Sequence, residues 1–190
     1  MATELQTERG IVRVPTGTWR VDPDHSSIGF EIKHLMIATV RGRFTEFEGV
    51  VVAAEDVADS RASGVVKAGS IDTGQPDRDA HLRSPDFFDV ENYPDIRFES
   101  TAIEPLGGPR FRVVGSLTIK STTREVALES TVEGAQRDPW GNDRVGIRAR
   151  GAINRKDFGL TWQQAIETGG FVLGDEVRIL IDVSAIRADD

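Results

Sequence analysis

Hydrophobic and polar positions alternate with period two over most of the chain, the pattern of strands that bury one face and wet the other. Trp19-Arg20-Val21 begins it, and Ile28, Phe30, Ile32 and His34 then alternate with Gly29, Glu31 and Lys33. Phe44 and Phe47 fall on the next extended segment an odd number of residues apart, which predicts a bulge or opposite faces. Gly64 to Ile71 is a weaker strand. Ile96, Phe98, Ser100 and Ala102 make another. The cleanest alternation is Phe111, Val113, Gly115, Leu117 and Ile119 against Arg112, Ser116, Thr118 and Lys120, with Val126, Leu128 and Val132 on its hairpin partner. Val145, Ile147 and Ala149 face away from Arg148 and Arg150, and Val177, Ile179, Ile181 and Val183 form the last strand. Turns are predicted at Asp22-Pro23-Asp24, Gly107-Gly108-Pro109, Asp138 to Asn142 and Asn154 to Gly159, where Pro, Gly, Asn and Asp set the backbone. Leu35 to Thr39 breaks the alternation and predicts a bend at a rim. Residues 1–16 are polar and predict a flexible arm ahead of one domain over 17–190.

About eight to ten strands, each with one apolar face, leave exposed edges and an uncovered face if the sheet stays open. Closure into a barrel, or a strongly curved sandwich, removes both faults. The charged faces must point to water, which excludes an outer-membrane barrel, whose outer face is apolar.

One stretch interrupts the period: Arg78 to Phe98, RDAHLRSPDFFDVENYPDIRF. Asp77 and Asp79 sit favourably at the start of a short helix through Ala80-His81-Leu82, and Pro85 ends it. Phe87 and Phe88 follow in a loop. Two large aromatics in such a loop cover something apolar, so this segment reads as a lid. Small residues (Gly64, Ala68, Ser100, Ala102, Gly115, Ala149 and Gly151) lie on the inward face. Spacing alone favours an ordinary filled core over a ligand cavity.

Composition narrows the function. The net charge of -8 repels nucleic acid and anionic headgroups at long range. No cysteine is present, which excludes disulfides and thiolate chemistry. No apolar run approaches the roughly 20 residues of a membrane span. Met1 to Val14 lacks a signal-peptide core, so the chain as given reads as cytoplasmic, or as periplasmic if it is a processed form. The three histidines form no metal-ligand spacing, and no nucleophile elbow, Walker loop or dinucleotide fingerprint occurs. They read first as loop-holding groups.

The motifs VDPDHSSIGFEIKH (Val21–His34), VRGRFTEFEG (Val40–Gly49), IDTGQPDRDAHLRSPDFFDVENYPDIRFES (Ile71–Ser100), VVGSLTIKSTTREV (Val113–Val126) and INRKDFGLTW (Ile153–Trp162) resemble the YceI-like, polyisoprenoid-binding family, from Trp19 to Ala185. The resemblance implies an all-β fold: an extended antiparallel lipocalin-like β-barrel with a short helix and loop lid. It implies a long apolar lipid in the tunnel, read here as a long-chain isoprenoid such as a quinone or a polyprenyl phosphate, or another similar lipid. It implies no established enzyme activity, and no cofactor beyond the bound lipid and no metal are expected. Under that reading the small inward residues become tunnel wall. We assign the wall to Phe30, Ile32, Phe44, Phe98, Phe111, Val113, Leu117, Ile147, Ile179 and Ile181, and a mouth to Phe87, Phe88, Phe158 and Trp162. Arg78, Asp79, His81 and Arg155 are headgroup candidates. A homodimer is a further partner to consider. The alternative is a barrel enzyme acting on an apolar substrate, with His25, His81 and Asp79 as acid-base groups.

Overall fold

The computed structural model describes residues 4–167 and 169–188. Its strands are β1 (Gln6–Glu8), β2 (Ile11–Arg13), β3 (Gly17–Val21), β4 (Ser27–His34), β5 (Ala38–Phe44), β6 (Phe47–Ala53), β7 (Arg61–Lys67), β8 (Ile71–Asp72), β9 (Asp95–Gly107), β10 (Arg110–Ile119), β11 (Thr122–Arg137), β12 (Asp143–Asn154) and β13 (Leu173–Arg187). The one α-helix among the described residues, α1, spans Pro76–Arg83.

Strands β3 to β13 form one antiparallel sheet that closes on itself where β12 pairs with β13, Ile147 opposite Val183. Three of the barrel's staves are bent. β3 and β4 share β13 as partner, Val21 opposite Ala185 and Phe30 opposite Ile179. β5 follows β4, and β6 follows β3. β7 pairs with β6 while β8 pairs with β5. With the five continuous strands β9 to β13 this makes a closed barrel of eight staves. Closure leaves no edge along most of the sheet, as the alternation requires.

The bend between β5 and β6 explains the odd spacing of Phe44 and Phe47. Thr45 and Glu46 leave the ladder, and their backbone N–H groups both donate to Ser70 Oγ at 3.1 Å. The two-residue break resets the pleat, so both rings face inward. Ser70 belongs to a 3₁₀ turn over Ala68–Ser70. Here the sequence predicts one strand from Gly64 to Ile71. The structure instead ends β7 at Lys67, because the turn's serine is what satisfies the broken ladder opposite. Leu35 to Thr39, predicted as a bend, holds the tip of the β4–β5 hairpin, with Leu35 and Met36 at φ of 52° and 60°.

Beyond Lys67 the barrel wall splits: β8 leaves with β5, and β9 begins opposite Lys67 at Asp95. α1 and the loop to Pro94 fill that gap. Gln75 caps the helix through its side-chain oxygen, Pro76 opens it, and Ser84 ends it. Arg83 ties it to the wall by donating to the Gly69 and Ile71 carbonyls, each at 2.8 Å. Residues 1–16, expected as a flexible arm, include a hairpin, β1–β2, docked on the barrel: Val12 N–H donates to the Gly108 carbonyl at 2.8 Å.

The packed core is in two parts. One holds Trp19, Ala53, Val145 and Ala185 at the end of β13 away from the lid. Trp19 is fully buried, and its Nε1–H donates to the Pro15 carbonyl at 2.8 Å. The other holds Phe87, Leu117, Ile119, Phe158 and Leu160 at the lid end. Between them the barrel is not filled.

Candidate functional site

A large cavity of about 860 Å³ runs between the two clusters. It is lined from Val14 and Ala53 at one end to Phe88 and Trp162 at the other. Its wall is the inward face of the alternating strands. β4 contributes Phe30 and Ile32, and β5 contributes Phe44. β9 and β10 contribute Phe98, Phe111, Val113 and Leu117. β12 and β13 contribute Ile147, Ile179 and Ile181. All ten wall residues assigned from the sequence therefore line the void. Glu31, Arg112, Arg148 and Arg178, one position away, stand on the opposite face of the same strands.

The inward glycines are not what makes the space. A Cβ at Gly115 would meet the Phe98 ring and the Glu99 carbonyl oxygen, each at 2.5 Å. Gly151 is covered by Leu128 in the same way. These positions seat neighbouring side chains, and of the small residues singled out only Gly64 and Ala149 touch the cavity. The void lies among the large inward side chains that line it.

Rings follow one side of the cavity towards its mouth. Phe30 and Phe44 lie 5.8 Å apart between centroids, and Phe44 meets Phe88 edge-on at 6.0 Å. His81 stands edge-on to Phe87 at 5.1 Å and to Trp162 at 5.0 Å. Phe87, Phe88 and Trp162 line the void as assigned, but Phe158 does not. Its 3₁₀ turn, Arg155–Phe158, drives that ring into the cluster beneath the lid, where it is 2% exposed.

The cavity reaches solvent at the start of α1, where exposed Gln75, Asp77 and Arg78 line it beside Thr73 and His81. Of the four headgroup candidates, Arg78 and His81 stand on this rim. Arg78 is turned onto its own loop: Nε donates to Thr73 Oγ1 at 2.7 Å and Nη2 to the Thr73 carbonyl at 2.9 Å. His81 Nε2 shares a hydrogen bond with Asp86 at 2.8 Å. Asp79 is buried away from the cavity, where its Oδ1 accepts from the Thr73 N–H at 3.0 Å and the Thr73 hydroxyl at 2.5 Å. It positions the loop that forms the rim. Arg155 borders the cavity with Nε and Nη1 engaged, while its buried Nη2 makes no hydrogen bond. Nε donates to the Gly174 carbonyl at 2.8 Å, and Nη1 to the Leu160 and Trp162 carbonyls at 2.6 and 2.8 Å. Burial pushes this guanidinium below its ordinary range, and Asp175, an ion pair at 3.5 Å, opposes the shift. Thr73, Gln75 and Asp77 were missed as site residues. Their only mark in the sequence is the turn and cap chemistry ahead of Pro76.

The acid-base trio proposed for an enzyme is not assembled. His25 pairs with Asp22 at 2.8 Å and does not line the cavity, Asp79 is consumed by Thr73, and only His81 faces the void. Among the described residues no group of three or more His, Cys, Asp or Glu side chains is placed to hold a metal.

A small closed barrel with a large apolar cavity, a helical lid and a polar rim defines a barrel of the kind that encloses one apolar guest. The chain belongs to the YceI-like domain family, whose model matches residues 19–185. It is 36% identical over 159 residues to a UPF0312 protein of Staphylococcus aureus strain N315, covering 83% of this chain and 90% of that one. Among solved structures, Burkholderia cenocepacia BcnA is 27% identical with a TM-score of 0.75, covering 86% of this chain and 98% of that one. A Campylobacter jejuni YceI protein is 28% identical with a TM-score of 0.71, covering 83% and 91%. A polyisoprenoid binding domain from Saccharophagus degradans shares the fold, with a TM-score of 0.66 at 14% identity, covering 90% and 98%.

Proposed function

We propose that this protein binds and carries an isoprenoid lipid, its tail laid along the barrel cavity and its head at the rim formed by Thr73, Gln75, Arg78 and His81. The observation that carries this reading is the unfilled apolar interior of about 860 Å³ between two packed clusters. Empty apolar space of that size costs the fold packing energy, which a guest restores. At roughly 30 Å³ for each carbon-sized group the space holds on the order of 25–30 carbons, or about five to six isoprene units. Each buried CH₂ contributes about 0.8 kcal/mol, so a tail of that length reaches the practical ceiling of about 20 kcal/mol before ordering costs are subtracted. Binding is therefore tight and exchange slow.

The rim favours a neutral head such as a quinone over a diphosphate. Arg78 already satisfies Thr73, Asp77 stands one residue from it, and His81 is paired with Asp86. Among the described residues no cluster of uncommitted cations awaits an anion there. The reading carries no catalytic step.

Native mass spectrometry of the purified protein, followed by organic extraction, tests it. The expected result is a stoichiometric adduct that extracts as an isoprenoid. A protein that carries no adduct and takes up neither a short-tailed quinone nor a polyprenol overturns the reading. Quinone affinity that changes less than about twofold between low and high salt supports the neutral head; a steep loss with salt removes it.

A further inference from the structure

The tip of the β4–β5 hairpin exposes Leu35, Met36 and Ile37 at 38%, 65% and 84%. Nothing in the fold accounts for them. Leu35 and Met36 both hold positive φ, at 52° and 60°, a conformation that hairpin turns ordinarily give to Gly, Asn or Asp. The chain accepts that strain and leaves three large apolar side chains in water. Beside them is a fourth. Leu35 N–H donates to the Val172 carbonyl at 2.8 Å, and Phe171, next to Val172, is 56% exposed.

The patch is continuous with the cavity. His34, Val40, Val172 and Leu173, immediately behind it, line the void at its lid end. The hairpin's charge departs from that of the whole molecule, while the Phe171 segment carries Glu167, Asp175 and Glu176, of which Asp175 pairs with Lys156 and Glu176 with Arg178. No acid occurs from Ile32 to Phe44, whereas Lys33, Arg41 and Arg43 lie there, in a chain of net charge -8. Arg41 and Arg43 are ion-paired with Glu31 and Asp72, but Lys33 Nζ donates to the Thr39 hydroxyl at 3.0 Å and pairs with no carboxylate among the described residues.

We propose that this hairpin tip, with Phe171, is the surface on which the protein docks onto an anionic lipid bilayer. Docking there sets the cavity's lid end against the acyl region, so an apolar guest passes between bilayer and barrel without crossing water. The proposal rests on the lipid-carrier reading above. Three or four apolar side chains with one uncommitted lysine give reversible, salt-sensitive attachment rather than stable anchoring.

Vesicle flotation tests it, with the full chain and vesicles of equal parts phosphatidylcholine and phosphatidylglycerol. The wild type floats with the vesicles. Ile37→Asp and Phe171→Ser lower the bound fraction by about tenfold or more, and Lys33→Glu lowers it several-fold on these vesicles but not on phosphatidylcholine alone. Trp140→Ser, at the opposite end of the barrel and 79% exposed, changes nothing. Uptake of a short-tailed quinone from vesicle-free solution is the same in all four variants, which shows that they fold and load. The proposal is overturned if the wild type takes up quinone but does not float. It is overturned as well if the tip variants float like the wild type, if Trp140→Ser abolishes flotation, or if the tip variants only dissolve a dimer seen by light scattering. A protein that floats through its tip but takes up no quinone leaves the docking surface standing and removes the carrier reading instead.

Discussion

Two residues show how little latitude the wall has where it looks most permissive. Gly115 sits on the inward face of β10, and the ring of Phe98 from β9 lies directly over it. Gly115→Ala must push that ring or the Glu99 carbonyl, and should cost about 1–3 kcal/mol in urea unfolding, although Ala is ordinarily the better strand residue. Arg155 is the second. It is 2% exposed, and its guanidinium gathers the carbonyls of Leu160, Trp162 and Gly174, so one side chain gathers the segment that carries Trp162 to the cavity. Arg155→Met leaves three carbonyls without their donor, while Asp175 keeps its pair with Lys156 at 3.1 Å, and should lower stability by about 3–5 kcal/mol. The same variant should weaken quinone binding through the displaced Trp162, whereas a group that only contacted the head would change affinity and leave the urea midpoint in place. The sequence marks Arg155 as a basic residue near the rim; that its donors turn to backbone carbonyls is a tertiary fact that no spacing reveals.

At the scale of elements, the bent staves are what the barrel must secure, and one ionic clamp does this at the end away from the lid. Arg144 on β12 donates through Nη1 to Asp22 Oδ2 at 2.6 Å and through Nε to Asp138 Oδ2 at 2.7 Å. It thereby fixes the corner between β3 and β4 to the turn that precedes β12. Arg144 holds the Asp22 carboxyl below its usual range, against the burial that pushes it up. At Asp138 burial is the largest influence and also pushes upward, but the hydrogen bonds from Arg144, Asn142 and Trp140 together outweigh it and the carboxyl is lowered. Both carboxylates therefore titrate lower in the folded than in the unfolded chain, where the value is about 3.9. Their contribution is complete above that value and is lost as pH falls through the folded ones. Arg144→Met should therefore melt below the wild type at pH 7, and the gap in Tm should close progressively as the buffer is taken from about pH 4 downwards. A gap that stays constant down to acid pH would mean that Arg144 acts through packing alone. The lid helix needs no such clamp, because Gln75, Pro76 and Ser84 define its ends locally. For that reason a short helix near Ala80 and its stop ahead of Pro85 were legible in the sequence.

For the whole molecule, alternation is enough to predict a closed barrel or a strongly curved sandwich, since one-sided strands in this number have few other ways to hide their apolar faces, and the family resemblance selects the barrel. The breaks in that alternation, at Leu35 and between Phe44 and Phe47, were visible as irregularities. Their meaning, a hairpin tip and a stave bent at Ser70, depends on pairings far apart in the chain. The cavity was legible only through the family resemblance. Small inward residues misled as a sign of empty space, because Phe98 and Leu128 occupy the room beside Gly115 and Gly151. An eight-stave barrel is just wide enough for its side chains to fill or for one ligand to enter, and here the inward side chains of all its staves together leave the ligand-sized space. That origin carries a test. Ala149 lies on the inward face of β12 opposite Ile181, partway along the cavity. Since the space in front of it is empty, Ala149→Trp should be accommodated without overpacking and change Tm by only a few degrees. The indole divides the cavity, so affinity for long polyprenols should fall by about tenfold or more while a quinone with a one- or two-unit tail binds as before. A variant that unfolds would show the interior to be packed after all, and one that binds long and short tails alike would show that the tail does not run along β12.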